Sequence, residues 1–182
     1  SSLWSEALAA PFGTGTETDP FLITSRDDFD QIRQSPDAHY RITADISFAT
    51  DPQGSTLVWE PIPTFSGTLE GGGYHLSDIT IGGTASGNVG LFGYVNEAVF
   101  RDIRLSGNVG SSSPGVNVGL LAGTSANSEF TGVHVSGSAH QVHPGGGGST
   151  EWVGLMVGRS TYDTFIRCSA TGDVSGPVYV GG

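Results

Sequence analysis

Val118-Gly119-Leu120-Leu121-Ala122-Gly123, running on to Phe130-x-x-Val133-x-Val135-x-Gly137, is the stretch on which the reading of this chain turns. Two other segments carry the same pattern, the first of them one residue shorter between its two glycines. Val89-Gly90-Leu91-Phe92-Gly93 leads to Phe100-x-x-Ile103-x-Leu105-x-Gly107. Val153-Gly154-Leu155-Met156-Val157-Gly158 leads to Phe165-x-x-Cys168-x-Ala170-x-Gly172. In each, the Phe follows the second glycine by seven positions. Leu76-x-x-Ile79-x-Ile81-x-Gly83 reads as an earlier copy, and Val180-Gly181 opens another.

Apolar residues two apart are the period of a strand with one buried face. A glycine at a fixed offset marks a turn or a close backbone approach. One such unit cannot bury its apolar face alone, but stacked units can, about 4.8 Å apart. Stacking predicts three inward ladders: Leu76/Phe100/Phe130/Phe165, Ile79/Ile103/Val133/Cys168 and Ile81/Leu105/Val135/Ala170. The predicted fold is all-β, a right-handed parallel β-helix or β-solenoid with a short N-terminal capping helix. Inserts separate the copies, chiefly 108–117 and 138–151, and are expected as variable loops.

The helix expected over 26–33 has Ser25 as N-cap and Asp28 at the acidic capping-box position. Its apolar Phe29 and Ile32 would lie over the open end of the core. The division expected is 1–35 for the N-terminal segment and capping helix, and 36–182 for the repeats. Because Val180-Gly181 opens a copy, the repeats are expected to continue past residue 182.

The 182 residues include 29 Gly, and the formal net charge is −11. All seven basic residues are Arg. Without a basic patch, nucleic acid is disfavoured as a partner. There is no run of about 18 apolar residues, so no membrane insertion is expected in this segment. Cys168 is the sole cysteine, which excludes an intrachain disulfide and a cysteine zinc cluster.

The Val-Gly-Leu-x-x-Gly copies resemble the GLUG motif of bacterial surface proteins. The lead-in is similar to what precedes such repeats: Gly15 to Ile23, Tyr40 to Ile46, Trp59-Glu60-Pro61-Ile62, and Phe65 to Leu76. The resemblance implies a right-handed β-helix in large exported proteins, among them adhesins and non-catalytic parts of immunoglobulin A-cleaving metalloproteases. The expected function is a structural or adhesive segment of an exported protein, extracellular or on the cell surface, displaying loops to a glycan or protein ligand. A β-helical carbohydrate-active enzyme and an accessory domain of a secreted metalloprotease are the alternatives.

For an enzyme, Asp78 and Asp102 are the candidate carboxylates, because each precedes the Ile of its copy and stacking could bring them together. Glycosidases need such a pair about 5–9.5 Å apart. The next equivalents, Gly132 and Arg167, are not acidic, so an outward structural pair is the simpler reading and no catalytic residue is expected. His140-x-x-His143 would suit a metal only on a helix, and Pro144 with four glycines argues against one; neither metal nor cofactor is expected. His140, His143 and Trp152 remain as candidate contacts on the binding loops.

Overall fold

The computed structural model describes residues 10–49, 58–82, 87–142, 151–176 and 179–181. Every strand pairing among them is parallel, and successive strands along the chain are distributed over three larger sheets of six, five and four strands. The first sheet stacks β1 (Phe21–Ile23), β2 (His39–Ile42), β5 (Thr68–Glu70), β8 (Val99–Arg101), β11 (Glu129–Thr131) and β15 (Thr164–Ile166). The second runs β3 (Ile46–Ser47), β6 (His75–Ile81), β9 (Arg104–Ser111), β12 (His134–Gln141) and β16 (Ser169–Ser175). The third runs β4 (Ile62–Phe65), β7 (Phe92–Asn96), β10 (Ala122–Ala126) and β14 (Val157–Thr161). A further pair, β13 (Trp152–Gly154) and β17 (Tyr179–Gly181), extends the column of bridges Val89–Val118–Val153.

The register joins the three copies as expected: Phe100, Phe130 and Phe165 are successive partners. Their rings stack at 5.1 Å and 4.7 Å with interplanar angles of 5° and 8°. Leu105, Val135 and Ala170 form a second column. Gly107, Gly137 and Gly172 form a third, with φ of 158°, 138° and 147°. A Cβ on Gly137 would lie 1.8 Å from the Gly107 carbonyl oxygen, so this column admits no side chain. Corners repeat as well. Glu97, Asn127 and Tyr162 hold φ of 52–58°, as do Asp102, Gly132 and Arg167 at 51–63°.

Leu76 is buried but belongs to a different ladder from the one predicted. It pairs with Leu105, while Leu69 lies beneath Phe100. The register then slips, so that Ile79 faces Gly107 and Ile81 faces Val109. The slip is a bulge centred on Asp78, whose φ is 57°. An apolar i, i+3 spacing arises at a corner between strands, as from Phe100 to Ile103, and equally at a bulge inside one. The pattern alone does not separate the two. Gly83 lies outside the described residues.

Cys168 and Phe165 also depart from expectation. Ile103, Phe130 and Val133 are fully buried, whereas Phe165 is 44% exposed and Cys168 is half-buried. Phe165 lies in β15 and Cys168 in the link from β15 to β16; these are the last strands of their sheets, and no further described strand pairs beyond them.

The helix forms as α1 (Arg26–Asp30), continued by a 3₁₀ turn over Gln31–Gln34. The Ser25 hydroxyl accepts from Asp28 N–H, but Asp28 reaches back to Thr24 N–H and hydroxyl rather than to Ser25. Phe29 packs edge-on to Phe48 and Trp59, and Arg26 and Arg33 lie over the Trp59 ring. Arg33 also donates to the carbonyls of Glu60 and Pro61. Within the N-terminal segment, β1 pairs with β2, and α1 lies between these two strands in the chain. The inserts begin as strand, not loop: 108–111 belongs to β9 and 138–141 to β12.

Candidate functional site

The second sheet alternates apolar residues inward with short polar residues outward, the pattern of a sheet with one buried face. Its outward columns read across coils as Arg104/His134/Ser169, Ser106/Ser136/Thr171 and Asn108/Ser138/Asp173. An open groove of about 540 Å³ runs along this face. It is lined by Asp78, Thr80, Ser106, Asn108 and Ser136 around Gly107 and Gly137.

Hydrogen bonds run from coil to coil on this surface. His75 Nε2 meets Ser106 Oγ at 2.8 Å, and His134 Nδ1 meets Ser169 Oγ at 2.7 Å. Ser138 donates to Asn108 Oδ1 at 2.7 Å. Asp78 Oδ2 accepts from Ser47 Oγ at 2.7 Å and from Ser77 Oγ at 3.1 Å. These two hydroxyls, Ser47 first, hold the Asp78 carboxyl below its ordinary value, with a smaller contribution from His75. A carboxyl held ionised in this way is an acceptor, and it does not supply the proton of a general acid.

Asp78 and Asp102 are not equivalent. Asp78 sits in the bulge of β6, whereas Asp102 lies at the corner between β8 and β9, with its side chain against Gly132. Arg101, next to Asp102 in the chain, pairs with Glu70 at 2.8 Å. His140 is a strand residue whose ring lies over Gly110, where a Cβ would fall 2.3 Å from Nε2. His143 lies outside the described residues. Trp152 is half-buried in β13, and its backbone N–H donates to Asn117 Oδ1. Among the described residues, no three His, Cys, Asp or Glu side chains gather as a metal group. No described helix is long and apolar enough to cross a membrane.

The roles of Ser47, His75 and Ser106 were not visible in the sequence. Their contacts join residues about 31 positions apart, and the bulge at Asp78 shifts the register between them. The small outward residues of β9 and β12, once aligned, were the one available signal.

No family model matches the chain. Over 134 residues it is 35% identical to halomucin of Haloquadratum walsbyi, a match covering 65% of this chain and 1% of halomucin. It is 31% identical over 105 residues to a provisionally named Gly-rich membrane protein of Evansella cellulosilytica, covering 53% of this chain and 12% of that protein. The chain thus spans a small fraction of the curated relatives it matches. Among solved structures, a provisionally named immunoglobulin A1 protease of Bacteroides ovatus superposes with a TM-score of 0.53 at 17% identity. That superposition covers 93% of this chain and 63% of the other, and at this identity the likeness is one of fold.

Proposed function

We propose that the chain is a right-handed parallel β-helix of the GLUG-repeat type, serving as a rigid structural or adhesive segment of an exported surface protein. The observation that carries this reading is the in-register parallel stacking of the three copies. Each coil repeats the Val bridge, the Phe ladder and the glycine column of the one before. Parallel crossover connections within a sheet are right-handed in about 98% of cases, which supports the hand. Similarity to halomucin and to a Gly-rich membrane protein supports a surface or secreted setting.

Its mechanism is spacing plus presentation. Stacking fixes outward hydroxyls, amides and imidazoles at intervals of about 4.8 Å along the coil axis. A regular polar surface beside an open groove suits an extended polar polymer, such as a glycan, held by many weak hydrogen bonds. An array of polysaccharides and surface proteins tests this. The expected result is binding without turnover, weakened by Asn108→Ala with Ser136→Ala. Cleavage of a polysaccharide that is lost in Asp78→Asn would overturn it in favour of an enzyme.

A further inference from the structure

Four buried side-chain polar atoms among the described residues have no hydrogen-bond partner. Two of them, Glu151 Oε2 and Gln141 Oε1, belong to side chains that grip the same loop, 112–117, between β9 and β10. Glu151 is 1% exposed and Gln141 is 4% exposed. Glu151 Oε1 accepts from Gly115 N–H at 2.7 Å. Gln141 Nε2 donates to the Ser113 carbonyl at 2.6 Å. That second bond fixes the amide orientation, because a carbonyl can only accept. Both remaining atoms are therefore acceptors, and neither can satisfy the other.

Charge makes the same demand. Glu151 is a buried carboxylate, and the ion pairs of the described residues are Arg33–Asp30 and Arg101–Glu70, so no arginine neutralises it. Burying an unpaired carboxylate is costly unless something positive or protic meets it. The donors at hand are carboxylate and amide oxygens, which suit hard cations. We propose that Glu151 and Gln141 form a buried site for a hard cation, Ca²⁺ or Na⁺, which pins loop 112–117 between successive coils. Water would complete the coordination shell, and a single carboxylate implies modest affinity, since ligand charge sets affinity in such sites.

Thermal melts in CaCl₂, NaCl and choline chloride at matched ionic strength test the proposal, with E151Q as the paired variant. Glutamine keeps an acceptor for Gly115 N–H, removes the charge and replaces the orphan acceptor with a donor. The wild-type chain should melt roughly 3–6 °C higher in Ca²⁺ or Na⁺ than in choline at ten times the dissociation constant. E151Q should melt at the same temperature in all three salts. The arm that raises the wild type identifies the ion. Equal wild-type melts in all three salts would overturn the site and leave a bound water or a proton only. An equal shift in wild type and E151Q would also overturn it, as a general salt effect. Should E151Q not fold, titration calorimetry of the wild-type chain with CaCl₂ decides beside the melts. One site per chain supports the proposal, and no heat together with unchanged melts overturns it.

Discussion

Phe130 has an aromatic ring above it and another below, and no exposed surface. Truncating it leaves a cavity between two rings that the stacked backbone cannot close. Phe130→Ala should therefore cost about 3–5 kcal/mol, read as a shift in the midpoint of chemical unfolding; an unchanged midpoint would contradict the ladder. Phe165 in the same column is 44% exposed, so Phe165→Ala should cost clearly less. Asp78 is exposed, and its effect is seen in its titration rather than in stability. Its folded value is lowered by Ser47, so whatever stability it lends is present above its unfolded value near 3.8 and is lost as pH falls through the folded one. A carboxyl NMR titration should place its midpoint below 3.8 and move it upward in Ser47→Ala. Equal midpoints in the two proteins would contradict the Ser47 contact.

At the scale of elements, the strands and their inward residues were legible because period-two patterning and glycine offsets repeat over three copies. Phe100, Ile103, Phe130 and Val133 all face inward as the pattern required. Leu76 was misassigned because a bulge and a corner share one apolar spacing. The helix was legible in Ser25, Phe29 and Ile32, yet its place inside the first coil was not, because β1 is only three residues long. The polar face was illegible for another reason: its contacts cross between coils of unequal length, and Ser, Asn and His at outward positions look like ordinary surface. The glycine column gives a test that belongs to the element. At Gly137 a Cβ would meet the Gly107 carbonyl carbon and oxygen, whereas at Gly73, with φ of 76°, it would meet nothing within 4 Å. Gly137→Ala should cost about 2–6 kcal/mol, through both strain and overlap. Gly73→Ala should cost about 1–2 kcal/mol, from its left-handed conformation alone. Equal costs would mean that the coils do not approach as closely as the column requires.

For the whole molecule, stability is shared between neighbours, as in other stacked repeats, so each coil depends on the one before and after it. The first coil is closed by Phe29 and Ile32, both fully buried. At the opposite end of the described stack, Phe165 and Ile166 are partly exposed. Everything proposed about the polar face, the groove and the cation site depends on one property, the register of β9 against β12. Disulfide trapping in a Cys168→Ser background tests it most directly. In register, Ser106 and Ser136 are partners, with Cα atoms about 4.8 Å apart, inside the range a disulfide spans. Asn108 and Ser136 are offset by two positions, about 8 Å apart and outside that range. Ser106→Cys/Ser136→Cys should oxidise readily to an intrachain crosslink while Asn108→Cys/Ser136→Cys does not. Crosslinking of the offset pair in preference to the aligned one would contradict the stacked register.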